Sequence, residues 1–124
     1  MDLGALFRAE RIPLRPTEHL QYSGLCSYIK HFLFKVGGSL YLTNERLVFM
    51  EKRYFAPSEV AVDIELDDIV DVSILYSFIV VGPFRVIANG RKYSFYVSGV
   101  RGWVDAIEMA RSAPPPTPSS RYDY

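Results

Sequence analysis

The run Phe84 to Val97, FRVIANGRKYSFYV, constrains this chain more than any other part of it. Two stretches of alternating apolar and polar residues flank Asn89-Gly90, a dipeptide that tolerates the two positive φ angles of a type I′ turn. A two-residue turn sets the register: Ala88 faces Arg91, Val86 faces Tyr93, and Phe84 faces Phe95. Those side chains share one face, while Arg85, Ile87, Lys92, Ser94 and Tyr96 take the other. A hairpin with one apolar face is not stable alone and demands more sheet.

The preceding residues supply that sheet. Ser39 to Met50, SLYLTNERLVFM, reads as a second hairpin, with Leu40 and Leu42 against Leu47 and Phe49. It turns through Thr43-Asn44-Glu45-Arg46, where Asn44 is expected in the left-handed region. Leu20 to Ile29 forms a strand before it, ending near Lys30-His31. Val60 to Leu66 forms one after it, alternating Val62, Ile64 and Leu66 with Asp63 and Glu65. Asp67-Asp68 makes a turn, and Ile69 to Tyr76 is a further strand. No helical period occurs before residue 99, so the strands follow one another as an antiparallel sheet. Val100 to Arg111 alone has helical spacing, with Val100, Trp103, Val104, Ile107 and Ala110 on one side. Ser98 or Gly99 is placed to cap its start. A seven-stranded sheet of this size curls, and Trp103, Val104 and Ile107 have the spacing to plug its open end. The expected fold is mainly β: a partly open seven-stranded antiparallel barrel closed by a C-terminal helix.

Composition sets the limits around that core. A length of 124 residues, 49% hydrophobic and 15% aromatic, suits one domain. The domain is expected over 18–112. Residues 1–17 are a separate N-terminal segment with a short amphipathic piece carrying Leu3, Leu6 and Phe7, which must dock to persist. Residues 113–124, APPPTPSSRYDY, form a disordered Pro-rich tail. Fourteen basic residues balance fourteen acidic ones, which argues against a nucleic-acid partner, since that affinity rests on unbalanced Lys and Arg. The single Cys26 cannot make an internal disulfide and points to a reducing, cytoplasmic setting. The longest uncharged run, Val72 to Phe84, is well short of the ~20 apolar residues that a bilayer crossing needs. Amides are scarce and Arg outnumbers Lys, a composition of the thermophilic kind.

Catalytic chemistry has no visible seat. His19 and His31 are isolated, Cys26 reads as a small buried hydrophobe, and there is no phosphate loop or paired metal-ligand spacing. Asp63, Glu65, Asp67, Asp68 and Asp71 would hold a cation only if they converged, and strand alternation makes a solvated face of them. The expectation is a protein without catalysis, cofactor or metal.

Four segments carry a family resemblance. They are Gly38 to Phe49 (GSLYLTNERLVF), the spacing Ile64, Leu66, Ile69, Val72, the Asn89-Gly90 hairpin ending Tyr93-x-Phe95, and Trp103 with Ile107 in the last helix. In this order they resemble the GRAM branch of the pleckstrin-homology-like (PH-like) superfold, over about Glu18 to Arg111. The resemblance implies a binding or adaptor domain. In lipid-binding members of the superfold, basic residues come from the loops joining the first and second strands and the third and fourth. Here those loops carry Lys30, His31 and Lys35, then Lys52 and Arg53, with Phe32, Phe34 and Phe55 able to dip into a membrane interface. The competing reading starts from Ser77 to Phe84, SFIVVGPF, which is too apolar to lie in water as a loop. Phe78, Ile79, Val80 and Val81 are expected either in a strand buried on both faces or against a protein partner or a second copy of the chain. Protein interaction or self-association is placed ahead of peripheral binding to anionic phospholipid.

Overall fold

The structure is a computed structural model and describes residues 12–31, 34–76 and 80–113. The elements are β1 (Leu20–His31), β2 (Phe34–Thr43), β3 (Arg46–Glu51), β4 (Glu59–Glu65), a 3-10 turn (Leu66–Asp68), β5 (Ile69–Ile74), β6 (Val81–Ala88), β7 (Arg91–Ser98) and α1 (Val100–Ser112). All strands join one antiparallel sheet in the order β4-β3-β2-β1-β7-β6-β5. The sheet is not closed: β4 and β5 are its two edges, bridged in sequence by the 3-10 turn. A single apolar cluster nevertheless contains residues from every strand, among them Cys26, Leu42, Phe49, Ile64, Val72, Phe84 and Phe95. One face of a flat sheet cannot bring β4 and β5 side chains into one cluster, so the sheet is curled around its core.

The Asn89-Gly90 hairpin has the register read from its sequence. Asn89 and Gly90 have φ of 54° and 73°, and Ala88, Val86 and Phe84 face Arg91, Tyr93 and Phe95. The other turn departs from expectation. Asn44 is not left-handed; Asn89 is the only non-glycine with positive φ among the described residues. Its side chain instead accepts from the His19 N–H (2.7 Å) and donates to the Thr17 carbonyl (3.0 Å), tying the turn to the chain entering β1. Lys30, His31 and residues 34–37, expected in a loop, lie in strands, while Phe32 lies outside the described residues. β1 runs on to His31 and β2 begins at Phe34, because Ile29 pairs with Lys35 and His31 with Phe34 across a register shift.

Helix α1 lies over one opening of the curl. It starts at Gly99 (φ 67°) without a side-chain cap; the Gly99 and Val100 N–H groups donate instead to the Val80 carbonyl at 2.6 and 3.3 Å. Trp103 is 2% exposed and meets Tyr22 edge-on at 4.5 Å between ring centroids, above Gly24 of β1. At the far end of the helix, Arg111 donates to the Ile69 carbonyl at 2.9 Å. Trp103 and Ile107 therefore act as the plug that their spacing suggested, while Val104 is only partly buried.

Residues 12–19 cross the outer face of β2 and β3. Ile12 packs with Tyr41, Val48 and Met50, and the ion pairs Arg46–Glu18 (2.7 Å) and Arg15–Glu45 (3.2 Å), with Arg15–Glu65, fasten the rest of this strap. Leu3, Leu6 and Phe7 and the Pro-rich run after Ala113 lie outside the described residues. Of the five clustered carboxylates, Asp63 and Glu65 are engaged by Arg46 and Arg15, and Asp68 accepts from Asn89 at 3.5 Å.

Candidate binding surface at the open end

Antiparallel pairing sorts the turns between two ends of the barrel. The β1-β2, β3-β4 and β6-β7 connections fall at the same end, since β2 starts and β3 ends there and β7 runs antiparallel to β1. Helix α1 begins at the opposite end, after Ser98. Side-chain alternation then decides which residues rim the open mouth. On β1, Cys26 and Tyr28 face inward; on β7, Phe95, Tyr93 and Arg91 do. Tyr28 closes the core from this side, with ring centroids 5.6 Å from Phe49 and 5.4 Å from Phe95. Burial pushes its phenol pKa up, Tyr93 adds to that shift, and Arg91 opposes it, so all three share the mouth. The Arg91 guanidinium stands 5.9 Å from the Tyr93 ring centroid.

The basic residues expected from the first loop arrive on strands instead. Lys30 and His31 end β1 and Lys35 begins β2. Lys30 Nζ reaches Glu51 at 3.6 Å, and Arg53 approaches the same carboxylate at 3.5 Å while also pairing with Glu59. Glu51 comes within reach because Gly38 faces it across β2 and β3; a Cβ on Gly38 would collide with the Met50 carbonyl. Lys52 follows, its N–H donating to the Gly37 carbonyl at 3.0 Å. Lys35 turns away from this group and stands over the Tyr96 ring at 5.1 Å, on the outer face. The structure thus gathers Lys30 and Arg53 on Glu51, with the exposed Lys52 adjacent in the chain, and separates Lys35.

Exposed aromatics lie at this end. Phe34 is 60% exposed against the His31 ring (4.8 Å), and Tyr54 and Phe55 in the β3-β4 loop are 89% and fully exposed. Six bases, Lys30, Lys35, Lys52, Arg53, Arg91 and Lys92, serve these turns, opposed by Glu51, Glu59 and Asp68. Zero net charge is therefore an average over a polarised molecule. The loop spacing did not single out Arg91, Glu51 or Glu59; the hairpin register alone would have placed Arg91 inward.

The apolar segment is divided. Phe78 and Ile79 lie outside the described residues. Val80 is exposed in a turn and Val81 is half-buried at the start of β6, opposite Ser98. Val80 thus lies outside any strand, whereas Val81 opens β6, a strand with no exposed residue.

No family model and no curated protein matches this chain. Solved structures do. A C-terminal domain of an unknown protein from Leishmania infantum aligns with 76% of the chain and 84% of its own length at 20% identity and TM-score 0.59. The linker-DH/PH region of p115-RhoGEF matches 81% of the chain at 14% identity and TM-score 0.65, the chain spanning 31% of that protein. The Slm1 PH domain, in complex with phosphoserine, matches 74% of the chain and 95% of itself at 17% identity and TM-score 0.58. The fold is PH-like. Identities this low establish the PH-like architecture alone.

Proposed function

We propose that this PH-like domain is a non-catalytic adaptor that docks peripherally on anionic membrane surfaces through its open end. The observation that carries the reading is the coincidence of exposed Phe34, Tyr54 and Phe55 with Lys30, Lys52, Arg53 and Arg91 at one end. Each Lys or Arg near an anionic leaflet contributes roughly 1 kcal/mol, and aromatic side chains entering the interface add apolar burial. Within the fold, the run Gly38 to Phe49 favours the GRAM branch. Slm1-PH, which is similar in fold, forms a complex with phosphoserine. Among the described residues no helix is long and apolar enough to cross a membrane. Vesicle flotation tests the reading: the chain floats with vesicles containing phosphatidylserine and not with neutral ones, and Lys52→Glu with Arg53→Glu abolishes flotation. Equal flotation with neutral vesicles, or none with either, refutes it.

A second reading has its own support. β5 has no strand beyond it, although α1 packs on it and Arg111 donates to its Ile69 carbonyl, and Val70, Leu75, Tyr76 and Val80 are exposed along it and near the connection to β6. An extended segment of a protein partner, or a second copy of the chain, would add a strand there. Light scattering at high concentration, with Val70→Lys as the disrupting variant, tests self-association: a monomer at all concentrations removes it.

A further inference from the structure

The central strands carry a run of bases of which the open-end reading draws on Lys30 and Arg91 but not on Arg85. β2, β1, β7 and β6 are consecutive in the sheet and contain no Asp or Glu, whereas they carry Lys30, Lys35, Arg85, Arg91 and Lys92. Cross-strand register aligns Lys35, Ile29, Ser94, Arg85 and Ser73 in one row on the outer face. The next row holds Gly37, Ser27, Tyr96 and Pro83. The closest carboxylate to Arg85 by register is Asp71, opposite Ile87 on the edge strand.

Arg85 stands out within this row. Its Nε is shielded from solvent and has no hydrogen-bond partner, and no ion pair is formed by its guanidinium among the described residues. A shielded unpaired donor on a charged group is destabilising, and a bound acceptor is one of the few explanations for retaining it. Lys35 supplies the second cation. Its Nζ lies 5.1 Å from the Tyr96 ring, so the side chain leans from β2 over β1 toward β7. Arg85 flanks β7 from the other side, paired with Ser94. The two cations thus rise from the strands on either side of β1 and β7, three inter-strand spacings or about 14 Å apart at the backbone, with Ser94 and Tyr96 between them. Beside them is a shallow, open depression of about 320 Å³ lined by Leu25, Ser27, Gly37, Tyr96 and Ser98 among others. Glycine and serine leave its floor low, while Leu25, 82% exposed, and Tyr96 form apolar walls.

We infer that the outer face of β1, β7 and β6 binds a soluble phosphomonoester with a small apolar body, its dianionic phosphoryl group held between Arg85 and Lys35 over Ser94 and its body in the depression beside Tyr96. Arg and Lys together match this chemistry: the guanidinium presents several fixed donors to phosphoryl oxygens, and the ammonium acts as a point charge. The site lies on the outer face and shares with the open-end bases only Lys35, which the membrane-docking reading does not use, so it stands or falls independently of membrane docking.

The test uses the full chain titrated with phenyl phosphate and followed by backbone amide shifts. Saturable shifts at Ser27, Ser94 and Tyr96 are expected, with affinity about tenfold or more weaker in Arg85→Gln and in Lys35→Gln, and for phenyl sulfonate as ligand. Arg101→Gln on the helix leaves the affinity unchanged. Shifts confined to Lys52 and Arg53, no saturation, or equal affinity in Lys35→Gln overturns the assignment. Phosphoryl binding seen only with vesicles containing phosphatidic acid also overturns it, by moving the source to the membrane.

Discussion

Replacing Glu18 by Gln probes the clasp that holds the N-terminal strap to the sheet. The Glu18 side chain is fully shielded and accepts from Arg46 Nε (2.7 Å) and Nη2 (3.0 Å), the Thr43 hydroxyl (2.6 Å) and the Arg15 N–H (2.9 Å). Burial alone would raise its pKa, but the combined hydrogen bonds from Arg46, Thr43 and Arg15 outweigh it and hold the group at about 2, against an ordinary 4.5. A depression of that size corresponds to about 3 kcal/mol of differential stabilisation of the ionised form. The folded pKa lies below the unfolded one, so this stability is fully present above pH ~4.5 and is lost as pH falls toward ~2. Glu18→Gln keeps the shape and removes the charge; Arg46 retains Asp63 (2.9 Å) and the Pro13 carbonyl (2.8 Å). The expected loss at neutral pH is therefore about 2–3 kcal/mol. Urea unfolding of both proteins as a function of pH separates this group from other carboxylates, because only the difference between them reports Glu18. That difference halves by about pH 3 and vanishes near pH 2 or below. A difference independent of pH, or below about 0.5 kcal/mol at neutral pH, refutes the clasp.

Three further outcomes follow from the same geometry. Trp103→Ala removes the plug over Gly24 and Tyr22 and costs about 3–5 kcal/mol, read by chemical denaturation; a near-neutral result contradicts the capping role. Cys26 is buried and desolvation pushes its thiol pKa far up, so an exposed-thiol reagent should label it only at the rate of unfolding, and fast labelling of the native chain would show an open core. Glu51→Gln releases Lys30 and Arg53 from their shared partner and should tighten binding to anionic vesicles several-fold at low salt, with weaker binding counting against the open-end reading.

Much of this architecture is legible in the residues because local rules and burial agree. Asn89-Gly90 dictates the β6-β7 register, and the spacing of Trp103 and Ile107 dictates which helix face closes the barrel. The misreadings arise where a distant contact overrides a local preference. Asn44 has the composition of a left-handed turn residue, yet its amide is recruited by Thr17 and His19 at the start of β1. Lys30 to Gly37 has few turn breakers at its tip and reads as a loop only because charged and glycine residues interrupt it. Pairing of Tyr28 with Val36 and Ile29 with Lys35 draws Lys30, His31 and residues 34–37 into strands. The strap was illegible for a similar reason. Arg15, Glu18, Arg46 and Glu65 are separated by up to fifty positions, and no periodicity links residues that meet only after the sheet has formed. At the open end, the sequence names Lys52 and Arg53 through their loop, but the carboxylates that temper them, Glu51 and Glu59, become visible only with register.

The central claim is that the open end, and no other surface, faces the membrane. A spin label at Ala56→Cys in the β3-β4 loop and another at Arg101→Cys on α1 report depth at opposite ends of the barrel, both positions being exposed. The buried Cys26 does not compete for the label. On vesicles containing phosphatidylserine, the account predicts that the label at 56 moves out of reach of a water-soluble relaxant while the label at 101 stays fully accessible. Equal accessibility at both sites, or protection at 101 alone, contradicts it.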